Sequence, residues 1–245
     1  DPRLVTVIGN TELKVVAGMN NAVKPFSDAR VRRALMLAVD RQMVIDGAWS
    51  GYGTAIGSHY TPNDPGYVDL TGVYPHDVAK AKALLAEAGY PDGFAFTMKA
   101  PQMAYAMRSA EVLQAMFADI GVTMTIEPTE FPAKWVQDVF KGRAYAMTIV
   151  AHAEPMDIDI YARDPYYFNY ADPAFAALMR EVEATTDPTA RATLYAAAQR
   201  KLAEDVPALY LFAMPKLGVW DRRLTGLWQN EPIPSNVLTD VRWSD

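Results

Sequence analysis

Residues 94–150 read FAFTMKAPQMAYAMRSAEVLQAMFADIGVTMTIEPTEFPAKWVQDVFKGRAYAMTIV, and this stretch decides the fold. Residues 94–99 have the composition of a strand. Residues 105–120 carry apolar side chains at helical spacing, and Gly121 closes that helix. A second strand is expected over 122–126, a second helix over 131–140 ending near Gly142, and a third strand over 145–150. Strand, helix, strand, helix and strand at this spacing imply parallel pairing through right-handed crossovers. The fold class is therefore α/β.

Working outward, residues 77–88 predict a short helix with Gly89 as its C-cap, and Tyr90-Pro91-Asp92-Gly93 a turn. Residues 47–74 are rich in Gly, Pro and Tyr without strong periodicity. They read as an ordered functional loop, pinned by Trp49, Tyr52, Tyr60 and Tyr67. Before it, Ser27 or Asp28 offers a cap to a helix expected from 28 to about 46. Val31, Ala34, Leu35, Ala38 and Val39 form its apolar face, and Arg30, Arg32 and Arg33 its solvated flank. Residues 12–20 read as a strand. Toward the C-terminus, helices are expected over 173–184 and 188–203, and residues 206–214 form an apolar strand buried on both faces. From Gly226 onward periodicity is weak.

The chain has 245 residues, 51% of them hydrophobic and 21% charged, which is the composition of a globular protein. No apolar run approaches the ~18 residues a membrane helix requires. The formal charge of −6 with scattered basic residues argues against a nucleic-acid surface. The absence of cysteine excludes disulfides, thiolate metal sites and a cysteine nucleophile. The opening Asp1-Pro2-Arg3 resembles no signal peptide, which fits a mature exported chain without deciding its compartment.

The segment Ala151-His152-Ala153-Glu154-Pro155-Met156-Asp157-Ile158-Asp159-Ile160-Tyr161 follows the third parallel strand. Open α/β sheets bind ligands at that edge. Glu154, Asp157 and Asp159 place three carboxylates within a few residues, and one of them could match a free amino group. The alternative is that such acids cap the next helix. His152, Glu154 and Asp157 also have the chemistry of a metal site, but their spacing fits no standard zinc signature. Tyr161, Tyr166, Tyr167, Phe168 and Tyr170 could wall a pocket or pack a core. His59, His76 and His152 are far apart in sequence. No nucleophile elbow, Walker loop or Gly-x-Gly-x-x-Gly occurs, so no catalytic residue and no cofactor is assigned.

Several strings resemble a known family. They are Pro25-Phe26-Ser27-Asp28-Ala29-Arg30-Val31-Arg32-Arg33-Ala34-Leu35, and the lysine-alanine helix from Asp77 leading to Gly89-Tyr90-Pro91-Asp92-Gly93-Phe94. To these are added Ala110 to Gln114 before Ile120-Gly121-Val122, Trp135 through Gly142 to Met147, and Asp187 to Pro207. Their order and spacing resemble the C-terminal lobe of the peptide- and nickel-type solute-binding proteins of ABC importers, the bacterial extracellular family 5 group.

That resemblance implies a periplasmic-binding-protein-like lobe with a central mixed, partly parallel sheet flanked by helices, spanning 1–245. Residues 1–13 and 230–245 would be crossover segments to a missing N-terminal lobe, the chain being a fragment or an engineered piece. The implied function is binding of a small oligopeptide or related solute and its delivery to a membrane permease. The implied location is periplasmic or extracellular, with or without a lipid anchor. Family peptide binders place an acidic residue in this loop against the ligand's α-ammonium group. Glu154 is the match, with Asp157 next and His152 where Trp is usual. Arg108 or the missing lobe would meet the ligand carboxylate. Tyr52 and Tyr105, placed by the sequence near the expected strand ends, are weaker candidates for the pocket wall. A metal-chelate, opine or sugar receptor, a metal-dependent hydrolase and a ligand-free scaffold are the alternatives.

Overall fold

A computed structural model describes residues 1–230 and 236–244. The central sheet has six strands in the order β3-β7-β2-β6-β4-β5. They are β2 (Lys14–Met19), β3 (Thr54–Ala55), β4 (Ala95–Pro101), β5 (Thr123–Thr129), β6 (Met147–His152) and β7 (Ala208–Ala213). β4 pairs in parallel with both β5 and β6, as the 94–150 reading requires. β2 inserts antiparallel between β6 and β7, so the sheet is mixed. The carboxyl ends of β4, β5, β6 and β7 therefore lie along one edge, beside the start of β2.

Strand alternation divides the core into two layers. Val15, Ala17 and Met19 of β2 face the helices α1 (Ala29–Ala38), α2 (Arg41–Trp49), α3 (Val78–Glu87) and α4 (Ala104–Ala118). Val16 faces an aromatic layer that holds Tyr60, Tyr161, Tyr167, Phe168 and Tyr210, completed by α6 (Pro173–Ala184) and α7 (Pro188–Asp205). Position 18, on that second face, is glycine because the Phe168 ring crosses it: a Cβ there would lie 2.8 Å from the ring.

The expected single helix over 28–46 is two helices. Val39 and Asp40 are extended, and the Asp40 carboxylate accepts from the N–H groups of Gln42 and Met43 to start α2 afresh. Asp40→Ala is expected to lower stability by about 1 kcal/mol in urea denaturation, the usual cost of a lost N-cap. The expected helix over 131–140 is also corrected. A single turn, α5 (Ala133–Trp135), passes into a π-helical stretch, Val136–Lys141. Arg32 is not solvated. It is 7% exposed and donates to the carbonyls of Phe26, Asp205 and Val206. With Arg33, which donates to the Glu204 carbonyl, it satisfies the open C-terminus of α7.

Outside the main sheet, β1 (Leu4–Gly9) pairs antiparallel with β8 (Lys216–Asp221), and β9 (Leu224–Thr225) with β10 (Arg242–Trp243). The 230–245 segment assigned to a crossover falls partly on residues 231–235 and 245, which lie outside the described residues.

Candidate functional site

The site lies where β2 begins and β6 ends. Antiparallel register sets Lys14 opposite His152, so the two side chains leave the sheet on one face. After His152 the chain turns through residues 153–156, with Met156 at φ +56°, into a 3₁₀ segment, Asp157–Ala162. The 50–77 loop locks this turn from outside: the Asp64 carboxylate accepts from the Met156 N–H and, through its other oxygen, from Thr61.

A buried charge network ties these elements together. The Lys14 ammonium, fully buried, is 2.8 Å from Asp157 Oδ1 and donates to the Glu154 carbonyl at 2.6 Å. His59 Nε2–H donates to Asp157 Oδ1 at 3.1 Å, and the Tyr161 hydroxyl donates to His59 Nδ1 at 3.1 Å. His152 Nδ1 is 3.5 Å from Asp157 Oδ2, and its Nε2 is 2.8 Å from the Tyr167 hydroxyl. Burial pushes the His59 pKa down to about 4, against the pull of Asp157, so it is neutral at pH 7. Burial opposes the charge on Asp157, but the surrounding imidazoles and the Lys14 ammonium outweigh it and hold the carboxyl well below the usual range.

Donor atoms of His59, His152 and Asp157 lie within 4.8 Å of one another, close enough to suggest a metal centre. Lys14 already occupies the shared carboxylate, and a divalent cation there would face an ammonium across a desolvated gap. The arrangement is that of a buried ion pair with two supporting imidazoles.

Above the network opens a cavity of about 560 Å³. Trp135, Phe140, Tyr166 and Tyr167 wall it, and the Trp135 ring is fixed by an Nε1–H bond to Thr148 at 2.9 Å. Its charges nearly cancel. Asp157 is neutralised by Lys14. Asp159 is paired with Arg163 at 2.8 Å. Glu154 lines the same cavity, exposed, and its carboxylate has no partner among the described residues. One uncompensated negative charge beside aromatic faces is an environment for a cation.

On the other side of Ala151 is a second cavity of about 390 Å³, walled by Trp49, Met103, Tyr105 and Phe131. Tyr105 is thus placed on the second cavity, where its hydroxyl accepts the Ala151 N–H at 3.0 Å. His152, Glu154 and Asp157 converge on the first. Arg108 is exposed on α4 and lines neither cavity. Of the aromatic run, Tyr161, Tyr167 and Phe168 are core residues, while Tyr166 and Tyr167 also face the first cavity.

Sequence reasoning set His59 apart from His152, but their rings lie 4.9 Å apart. It also missed Lys14, Trp135, Phe140 and Arg163. For Lys14 a signal existed, since a lysine in an otherwise apolar run, Leu13 to Met19, is rarely buried without a partner.

Comparison with known proteins converges on one group. Residues 5–174 match the family described as bacterial extracellular solute-binding proteins, family 5 Middle. The chain is 28% identical over 242 residues to the glutathione-binding protein GsiB of Pectobacterium atrosepticum, covering 92% of this chain and 47% of that protein. It is 31% identical over 198 residues to di/tripeptide-binding protein 1 of Pseudomonas aeruginosa, covering 75% and 37%. Among solved structures, HbpA2 of Haemophilus parasuis superposes with a TM-score of 0.89 at 25% identity, over 100% of this chain and 50% of that one. DppA of Helicobacter pylori, solved with the peptide STSA, superposes at 0.83 with 24% identity, over 95% and 48%. The chain spans about half, or less, of the length of these relatives.

Proposed function

We propose that this chain, which belongs to the bacterial extracellular solute-binding proteins of family 5, is the ligand-contacting lobe of an ABC importer's substrate-binding component. Its solute is a small oligopeptide or a related molecule with a free amino group. The observation that carries this reading is the lone uncompensated carboxylate: of three acids around the 560 Å³ cavity, Asp157 and Asp159 are paired and Glu154 is not. An ammonium group brought there exchanges its hydration for a charge-assisted bond to Glu154 and for contact with Tyr166 and Phe140. The relatives' names, binding proteins for glutathione and for di- and tripeptides, agree in solute class.

On this reading residues 1–13 and 230–245 cross to a second lobe that covers the carboxyl edge of the sheet. Lobe closure buries the solute and creates the surface that a membrane permease recognises. The protein works outside the cytoplasmic membrane. Among the described residues no helix is long and apolar enough to cross one.

The test is to purify the full-length protein with its endogenous solute, release that solute by denaturation, and identify it by mass spectrometry. A small molecule with a primary amine is expected. A solute without any cationic group contradicts the reading.

A further inference from the structure

The ion pair below the first cavity carries two imidazoles, and they stand differently toward water. His59 is wholly enclosed, while His152, 8% exposed, is among the residues that line the cavity. Glu154 lines the same cavity two residues further along the chain, which sets the two Cα atoms at most about 7 Å apart. Asp157 and Lys14 join them. Asp157 Oδ2 is 3.5 Å from His152 Nδ1, and Asp157 Oδ1 is 2.8 Å from the Lys14 ammonium, which holds the Glu154 carbonyl at 2.6 Å.

The cluster is built to take one more proton. A doubly protonated His152 ring needs an acceptor at each nitrogen. Asp157 Oδ2 faces Nδ1, and the Tyr167 hydroxyl, 2.8 Å from Nε2, accepts as readily as it donates. The ring also lies nearly parallel to that of Tyr167, with 8° between the planes. The groups that face it come from four elements: Lys14 from β2, Asp157 and Tyr161 from the 3₁₀ segment, His59 from the 50–77 loop, and Tyr166 and Tyr167 from the loop before α6. Asp64, of the same 50–77 loop, is held by N–H groups of Thr61 and Met156. Lys14 and Asp157 cancel, and so do Arg163 and Asp159. Burial pushes the His59 pKa down to about 4, so that ring does not take the proton first. Without the added proton the cluster is neutral and the cavity shows the single negative charge of Glu154. With it, that charge is cancelled.

We propose that this cluster is a proton site, and that the proton and the solute's cation compete for the one uncompensated charge of Glu154. The proposal rests on the cation-binding reading above and adds its regulation. A positive charge on the cavity wall removes the field that draws an ammonium and sets two like charges against each other. The proton belongs to the coupled cluster rather than to one nitrogen, with His152 as its route to water. The free protein holds this proton better than the complex does. Affinity is therefore highest with the cluster unprotonated and declines as pH falls, and by reciprocity the arriving cation expels the proton. The window is the one in which imidazole side chains change charge, between about pH 8 and 5.

Titration calorimetry of tri-alanine into the full-length protein at pH 7, 6 and 5 tests this. Over that range the peptide keeps its ammonium and carboxylates stay mostly ionised. Affinity is expected to fall about tenfold from pH 7 to 5. At pH 6 binding should release protons, read as a heat that varies with the ionisation enthalpy of the buffer. In His152→Gln the affinity should change by less than about twofold over the same range, with no release. His152→Phe, which keeps a ring against Tyr167, should behave alike and serves if the glutamine variant does not fold. A wild type with a flat profile and no proton release overturns the proposal. So does a decline that persists in the His152 variants, since the proton would then sit elsewhere. The underlying cation site is tested apart from this: tri-alanine that binds, weakens in Glu154→Gln and releases no proton retains Glu154 and removes the proton site. Failure of tri-alanine to bind at any of the three pH values removes both.

Discussion

Lys14→Met is expected to destabilise the protein by about 3–5 kcal/mol, measured from the midpoint of urea denaturation, because it strands the Asp157 carboxylate in a buried site. Lys14 is fully buried and Asp157 is 8% exposed, so water does not replace the lost ammonium. The same change frees the Glu154 carbonyl, which accepts from Lys14 at 2.6 Å, and so loosens the turn that presents the Glu154 side chain. A loss below about 1 kcal/mol would mean the pair is solvated and of the surface kind.

Acid should act on the same network with a defined sign. His59 has its folded pKa pushed down to about 4, below the ordinary value near 6.5. Its contribution to stability is present in full above pH 6.5 and is lost as pH falls toward 4, because the unfolded chain takes up the proton first. Asp157, held below its ordinary range, adds a loss in the same direction at still lower pH. The urea midpoint is therefore expected to fall steadily from pH 6.5 to 4, with net proton uptake on unfolding. A flat profile over that window would contradict a buried neutral His59.

The second large effect concerns binding. Glu154→Gln keeps the shape and an acceptor oxygen but removes the charge. It should weaken solutes with a free amino group about tenfold to a hundredfold, corresponding to ~1.5–3 kcal/mol for a hydrogen bond to a charged group. Stability should change by less than about 0.5 kcal/mol, since Glu154 is exposed and its side chain supports nothing else among the described residues. This separates Glu154 from Lys14 and Asp157, whose loss acts first on the fold.

Local physics was readable in the chain and long-range pairing was not. The parallel unit over residues 94–150 declared itself because its crossovers are short and each strand and helix has its own period. Asp28, Asp77, Asp172 and Asp187 each cap a helix through a bond to an N–H two or three residues on, which is a local event. The break between α1 and α2 escaped notice because the apolar spacing runs straight through Val39, and the decisive act is one carboxylate turning back at Asp40. Arg32 was read as solvated because nothing near it in sequence shows that the end of α7 will dock there with open carbonyls. The loop after β6 offers three acids, and only the resemblance, with no local signal beside it, prefers Glu154 over Asp157. What sets Glu154 apart is that Lys14 has taken Asp157 and Arg163 has taken Asp159. His59 joins Asp157 across 98 residues, delivered by the 50–77 loop, and the sequence marks the 47–74 stretch only by its Gly, Pro and Tyr content and weak periodicity.

The most direct test of the cation site is a double comparison by titration calorimetry on the full-length protein. A free-amine peptide and its N-acetylated form are each titrated into the wild type and into Glu154→Gln. Acetylation and the substitution remove the two ends of one interaction, so each alone should cost about tenfold to a hundredfold in affinity, and both together little more than either. Losses that multiply, or a wild type indifferent to acetylation, would show that the ammonium is held elsewhere and that Glu154 is not its partner.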